Sequence, residues 1–338
     1  MKNIKTVFLT CGVRSGAALL TRMLSVSDEF KASSATLNFF RFFYNKYNPL
    51  NKINLDKAIN DAYKRLKFRF DIKINKNEIN LFFRKNQKTY KNLYKILCYQ
   101  IFKSQKFKYL GDKEGNSWRN IPDYLNMFPN GKVIIIIRDP RDIICSFKKT
   151  TISKKNDYLI SLFNYIDLTN YYLHFPKKIK EKIILVKFRD IKIKPKLVLK
   201  KICKFLKIKF NRNMLDKNYF KDVKGNKWDG EEAYSFKGNL KHKTLNRWKL
   251  LISDEDLYLC QLLAKRQMEN MGYKLMRKRF DEKTKKNALN KIYQSRLLSN
   301  AYKNWQDKGE GSPNYPLDPT KPKNWDKNYI KQKSKFNL

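Results

Sequence analysis

The chain has 338 residues, 42% of them hydrophobic and 14% aromatic, which is too much apolar material for a disordered polypeptide. Lysine and arginine number 75 against 30 acidic residues, a net charge of +45, so the surface field draws anions of every class and selects none of them by itself. The five cysteines, Cys11, Cys98, Cys145, Cys203 and Cys260, are odd in number and contain no C-x-x-C pair, which argues against a disulfide framework or a zinc knuckle and for a reducing, cytoplasmic compartment.

Met1 to Lys5 is a basic lead-in to Thr6–Cys11, a short apolar run rich in β formers. Arg14 and Gly16 interrupt the apolar stretch and no small-residue cleavage site follows, so the run reads as the first strand of the fold and not as a secretory leader. Gly12 to Gly16 is a turn carrying one cation, after which Ala17, Leu20, Met23 and Leu24 fall on one helical face. Asn54 to Leu66 has Leu55, Ile59, Ala62 and Leu66 on one face of an amphipathic helix, and Lys73 to Lys108 interleaves lysines with aromatics in a further helical stretch. The region of about 45–105 is therefore expected to be a helical insertion, a lid or acceptor-side element.

A second strand, loop and helix unit runs through Val133–Ile137, Arg138-Asp139-Pro140-Arg141-Asp142 and Ile143–Phe147. The longest purely aliphatic run in the chain, Val133 to Ile137, is far short of the roughly 20 apolar residues of a membrane-spanning helix. A third unit passes from Ile183–Val186 into a helix carrying Leu199, Ile202, Cys203 and Leu206. Ser253-Asp254-Glu255-Asp256 is a capping box before Leu257, Cys260, Leu263, Ala264 and Met271, with Gly272 placed to stop the helix. From Lys278 the chain turns more basic and then loop-like through Gly309, Gly311, Pro313, Pro316, Pro319 and Pro322, with Trp305 and Trp325 nearby. Continuous aliphatic strands between helical patterns predict a three-layer α/β/α sandwich on a mainly parallel sheet. Residues 1–277 form that domain, and 278–338 are expected as an appended basic extension that wraps it or reaches a partner.

The chemistry is concentrated in the first two loops. Gly12-Val13-Arg14-Ser15-Gly16-Ala17-Ala18 lies between a buried strand and a helix, where backbone N–H groups and the helix dipole converge on an anion. It is not a Walker A sequence, because the second glycine comes one residue early and neither the lysine nor the magnesium-holding hydroxyl follows. Alone, it also fits an ordinary strand-to-helix turn. Arg138 directly follows the aliphatic strand and Ser146 lies eight residues on, inside the next helix, so both could meet a second phosphate at the same sheet edge. Alone, that segment equally fits a proline-started helix with acidic first-turn residues.

Taken in order, the two segments resemble the sulfotransferase family, with its G-x-x-[RK]-S-G-T-T-L-L loop and its R-D-P-R-D-x-x-x-S segment. Gly111-Asp112-Lys113, Met127 to Lys132, Val186 to Asp190 (a strand ending in an acid), Ile202 to Leu206, Arg247-Trp248-Lys249 and Met271-Gly272-Tyr273 extend the likeness over roughly Lys5 to Leu275. The resemblance implies a P-loop-like nucleotide-binding fold and transfer of a sulfuryl group from 3′-phosphoadenosine 5′-phosphosulfate (PAPS) to a hydroxyl or amine, without a metal. Gly12, Val13, Arg14, Ser15, Gly16, Ala17 and Ala18 would hold the 5′-phosphosulfate, and Arg138 and Ser146 the 3′-phosphate. Arg14 would also neutralise the leaving oxygen.

The chain departs from the family pattern at two places. Ala17 and Ala18 stand where the loop threonines are usual, leaving the 5′-phosphate to backbone N–H groups. The usual Glu or His base is also missing: Ala32 to Phe40 has no acid, His174 reads as a helix-end residue near Pro176, and His242 sits among lysines. Glu114 beside Lys113 is the substitute, giving Arg14, Lys113 and Glu114 as the candidate catalytic set. These departures keep open a catalytically impaired relative that retains the nucleotide. The charge and the Lys73–Lys108 interleaving keep open a nucleic-acid or polyanion binder, and a P-loop kinase is disfavoured by the missing Walker lysine. The acceptor class, whether glycan, lipid, peptide or small molecule, is not encoded in a motif. A basic surface suits an anionic glycan or a lipid head group, and nothing in the sequence sets the oligomeric state.

Overall fold

The computed structural model of the chain describes residues 4–34, 36–149, 156–228 and 245–313. At its centre is a parallel sheet of β1 (Lys5–Cys11), β2 (Phe30–Ser34), β3 (Tyr109–Gly115), β4 (Lys132–Ile137) and β5 (Ile183–Lys187), in the order β2-β3-β1-β4-β5. Parallel neighbours require crossovers that cover the sheet faces. The chain passes from β1 to β2 by α1 (Ala17–Ser25) over one face. It passes from β2 to β3 over the other by α2 (Phe39–Phe42), α3 (Lys52–Phe70), α4 (Lys76–Arg84) and α5 (Tyr90–Phe102). On that same second face, α6 (Ile121–Met127) leads to β4, and α7 (Pro140–Lys148), α8 (Ile160–His174) and α9 (Lys177–Lys180) lead to β5. α10 (Phe188–Ile193) and α11 (Pro195–Leu206) return to the α1 face. The described residues end with α12 (Trp248–Leu251), α13 (Asp254–Asn270), α14 (Glu282–Tyr293) and α15 (Arg296–Lys308). The three-layer α/β/α sandwich expected from the sequence is the fold observed.

β4 explains why its sequence is an unbroken aliphatic run. Val133, Ile135 and Ile137 enter the core under α2 to α8, while Ile134 and Ile136 enter the core shared by α1, α10 and α11. A strand buried on both faces has no solvent side and so shows no alternation.

β2 and β3 escape the sequence reading because β3 carries Gly111, Asp112, Lys113 and Glu114, all poor strand formers. Gly111 is needed there, since a Cβ would come within 2.3 Å of the Val7 carbonyl oxygen on β1. The region of 45–105 is thus largely the β2 to β3 crossover, and its lysine and aromatic interleaving is helical amphipathicity. Phe83, Tyr94 and Phe102 are buried in the core, and the lysines point outward.

The expected basic extension begins as two helices. Asp281 and Ser295 cap α14 and α15, and Ala288, Ile292, Leu298, Ala301 and Tyr302 join the main core against α8 and α13. In α14 four lysines hide that period in the sequence. Beyond them, Gly311 crosses α8 so closely that a Cβ would stand 2.1 Å from the Phe163 carbonyl oxygen, and Ser312 N donates to the same oxygen at 3.0 Å. His242, Pro316, Pro319, Pro322 and Trp325 lie outside the described residues.

The capping box is half used. Ser253 Oγ accepts from Asp256 N at 3.3 Å, while the Asp256 carboxylate turns inward to the Tyr158 hydroxyl and Lys291. The five cysteines are buried, each on a different element. Among the described residues no helix is long and apolar enough to cross a membrane.

Candidate functional site

β1 and β4 are neighbours, yet the chain leaves β1 toward β2 and leaves β4 toward β5. Connections that part in this way open a crevice at the carboxyl ends of the two strands, where doubly wound sheets hold ligands. The Gly12–Gly16 loop leaves β1 on one side of the crevice, and Arg138 leaves β4 on the other.

The two loops are stitched together. Arg14 Nε donates to Ser146 Oγ at 3.2 Å, and Arg138 Nη1 donates to the Arg14 carbonyl at 3.0 Å. The second bond steadies Arg14 in its left-handed backbone conformation (φ 58°), a conformation that costs a non-glycine residue about 1 kcal/mol. Arg138 is only 8% exposed. Burial lowers its guanidinium below the ordinary arginine value; Asp142 opposes that shift and the Arg14 charge adds to it. Asp142 lies 4.0 Å from Arg138 Nη2 but is also engaged by the N–H groups of Asn246 at 3.2 Å and Trp248 at 3.1 Å. Asp139 is occupied in turn by Arg141, whose guanidinium stacks 3.8 Å from the Trp248 ring centroid. The two acids of the Arg138–Asp142 segment therefore hold protein groups, and Arg14 and Arg138 meet at the rim.

The first loop is built for an anion. Gly16 takes φ 83° at the start of α1, and no side chain caps that helix, whereas Asp139 caps α7. The Ser15 hydroxyl is buried and finds no hydrogen-bond partner among the described residues. Helix N–H groups without a side-chain cap beside an orphaned hydroxyl are the partners a bound oxyanion supplies. Gly16 has a further reason to be glycine: a Cβ there would lie 2.1 Å from Phe188 Cδ2. Phe188 opens α10 directly after β5, and its ring centroid is 4.7 Å from Arg138 Cζ. Sequence reading placed Phe188 within a strand ending in Asp190. The strand instead ends at Lys187, and Asp190 lies in the first turn of α10, where an acid suits the helix dipole. The available signal was position, since Phe188 follows β5 as Arg138 follows β4.

A sequence model of the sulfotransferase family matches residues 6–212. The chain belongs to the sulfotransferase family. No curated protein matches it in sequence. Among solved structures, the sulfotransferase domain from the olefin synthase of Synechococcus PCC 7002 is 19% identical with a TM-score of 0.56, covering 81% of this chain and 97% of that one. The sulfotransferase domain from the curacin biosynthetic pathway is 17% identical with a TM-score of 0.52, covering 81% of this chain and 99% of that one. These likenesses extend to the fold.

In this sulfotransferase-family protein the remaining expected residues divide by sheet face. Lys113 is buried on the α1 side of β3, in register with Leu9 of β1 and Ser34 of β2. Glu114 is fully buried on the other side, accepting from Phe40 N at 2.9 Å and Ser117 Oγ at 3.1 Å. Its neighbour Asp112 accepts from the Ser33 hydroxyl and from Phe39 N. Burial, and then the Asp112 charge, push Glu114 well above the ordinary carboxylate range, and burial raises Asp112 as well. Through these hydrogen bonds both acids hold the first turn of α2 to β3. Ala17 and Ala18 are buried as well, so the first turn of α1 presents backbone to the loop where the family pattern presents hydroxyls. His174 ends α8 exposed, with Nδ1 2.7 Å from the Asn170 carbonyl. Among the described residues no group of three or more His, Cys, Asp or Glu is arranged to hold a metal ion.

Proposed function

We propose that this protein transfers a sulfuryl group from PAPS to an acceptor hydroxyl or amine. The observation that carries this reading is the meeting of Arg14, Ser146 and Arg138 across the β1 and β4 crevice. The buried Ser15 hydroxyl and the uncapped start of α1 suit the donor's 5′ end. In this reading PAPS supplies an activated sulfate whose S–O bond to phosphate breaks as the acceptor bond to sulfur forms, the phosphate oxygen leaving with the electron pair as 3′,5′-ADP and the acceptor's proton passing to water. Arg14 meets the charge that develops on the phosphate oxygen, and Gly12 to Ala18 turn backbone N–H groups toward it. Lys113 adds a buried positive charge beneath the loop. Arg138 and Ser146 hold the 3′-phosphate and fix the nucleotide's register, so that alignment and charge do most of the work. Glu114, buried and bonded to the Phe40 N–H of α2, acts here as a positioning residue.

Anionic glycans, lipid head groups, peptides and small molecules remain the acceptor classes to screen, with +45 of net charge favouring anionic ones. Calorimetric titration with 3′,5′-ADP and a mass-shift assay with PAPS and an acceptor panel test the reading. Absence of 3′,5′-ADP binding refutes it. The burial of Glu114 against α2, with Ala17 and Ala18, favours one second reading, a nucleotide-binding relative without turnover. Tight 3′,5′-ADP binding with no transfer to any acceptor supports that one.

A further inference from the structure

We propose that α12 and residues 276–280 form a docking surface for an anionic lipid bilayer, set beside the candidate crevice. The docking needs no nucleotide and goes beyond the donor reading. Only its consequence, that acceptors held at a membrane surface are brought to the crevice, rests on that reading.

α12 is anchored by its first residue and bares its other apolar ones. Trp248 is buried against α7, with its ring over the Arg141 guanidinium and its backbone N–H on Asp142. Leu250 is 90% exposed and Leu251 43%. One exposed leucine is ordinary, but here a third apolar residue joins the pair. Phe280 packs on the cluster of Trp248, Cys145 and Leu257, and Lys278 Nζ donates to Asp254, just past the end of α12, at 2.6 Å. These contacts lay 276–280 beside α12 and bring Met276, 45% exposed, into the same neighbourhood. The surface is tied to the crevice through α7, which carries both Asp142 and Ser146.

The exposed cations in these two segments are Arg247, Lys249, Arg277, Lys278 and Arg279. The nearby acids are engaged by protein groups: Asp254 by Lys278, Glu255 by Lys291, and Asp256 by Lys291 and Lys148. At the start of α14, Asp281 caps the helix and Glu282 pairs with Lys285. Cations therefore outnumber acids on this face. Exposed apolar side chains set among cations match the boundary of an anionic bilayer, where apolar groups enter the acyl edge and cations meet head-group phosphates. A second copy of the chain would cover the leucines only by bringing like charges together.

The test is cosedimentation with phosphatidylcholine vesicles and with mixed phosphatidylcholine and phosphatidylglycerol vesicles, at about 0.15 M salt so that distant charges are screened. The wild type should bind the mixed vesicles and not the neutral ones. Leu250→Ser leaves every charge in place and should weaken that binding about tenfold, the loss expected when one leucine no longer leaves water. Arg277→Gln with Arg279→Gln should weaken it about 30-fold. The same charge change on α3, Lys57→Gln with Lys64→Gln, should alter it less than about threefold. A polarity-sensitive dye placed on Leu250→Cys, the five native cysteines being buried, should shift to the blue on mixed vesicles, whereas the same dye on Lys57→Cys should not. No binding to mixed vesicles, a Leu250→Ser protein that binds like the wild type, equal losses for the two charge pairs, or a dye at 250 that stays in water overturns the proposal. A wild-type dimer that Leu250→Ser returns to monomers assigns the face to a second copy and overturns it too. Failure to bind 3′,5′-ADP overturns the donor reading and leaves the docking standing.

Discussion

Replacing Gly16 with alanine separates a steric role from a conformational one. At φ 83° an L-residue incurs about 1 kcal/mol of backbone strain. The new Cβ would also stand 2.1 Å from Phe188 Cδ2 and 2.3 Å from Cε2, so the ring must retreat by more than an ångström. That ring is 6% exposed and packed in the α1-face core, where overpacking costs about 1 to 3 kcal/mol. Gly16→Ala should therefore destabilise the protein by about 2 to 4 kcal/mol, measured by urea unfolding with tryptophan fluorescence. It should also weaken 3′,5′-ADP binding as the ring leaves Arg138. Phe188→Ala alone should cost about 3 kcal/mol. In the double variant the clash is gone and only the backbone strain of about 1 kcal/mol adds to that, so the double variant should be about 1 to 3 kcal/mol more stable than the sum of the singles. Strict additivity, or a Gly16→Ala protein as stable as the wild type, would refute the steric argument.

Arg138→Ala removes both the crevice cation and the bond to the Arg14 carbonyl, so 3′,5′-ADP affinity should fall by about 100-fold or more, against about fivefold for Ser146→Ala. A displacement titration in which Arg138→Ala binds like the wild type rules this out. Glu114 has a folded pKa raised well above 4.5, so the folded state keeps a proton that the unfolded chain releases. Stability attributable to Glu114 therefore falls as pH rises from its unfolded value toward its folded one, by about 1.4 kcal/mol per pH unit within that window. Glu114→Gln should flatten the fall of the urea midpoint as pH rises above about 4.5 relative to the wild type; parallel profiles would show that the proton is not there. In Gly311→Ala the added carbon meets the backbone of Phe163 and Asp167 at 2.1 and 2.3 Å, atoms that cannot swing aside. Limited proteolysis in the α14 and α15 region should then run about 10- to 30-fold faster, and an unchanged cleavage rate would mean that this docking contributes nothing.

What the sequence disclosed was local in origin. The aliphatic run of β4, the glycines bracketing Arg14 and the Ser253 cap each express their physics within a few residues, and each is found where expected. β3 was hidden because its acids and lysine are satisfied from afar: Glu114 by Phe40 and Ser117, Asp112 by Ser33 and Phe39. Residue-type preferences count those side chains against a strand, while the tertiary bonds that offset them carry no sequence signature. α14 was hidden in another way, since its lysines outnumber Ala288 and Ile292, which dock it; α15 does carry a helical period, Leu298, Ala301, Tyr302 and Trp305, which the basic composition of the segment masked. Phe188 carries no motif of its own. Its role depends on Gly16 lying opposite, and only the topology brings positions 16 and 188 together.

That dependence also separates the general charge of the molecule from its candidate site. Most of the +45 sits on exposed lysines, whose field reaches outward, is screened by salt within about 10 Å and acts alike on any polyanion. Arg138, Arg141 and Lys192 are buried cations, fixed in place by Phe188, Asp139 and Trp248. A solvated lysine can be moved along a surface with little consequence. A buried cation is retained only where partners or a ligand compensate its desolvation. The geometry of these few residues, and not the sum of the surface charge, is therefore what can distinguish one anion from another. The outer field can gather anionic molecules near the crevice, but it cannot select among them, and selection falls to groups fixed beside it, such as Arg14 and Arg138.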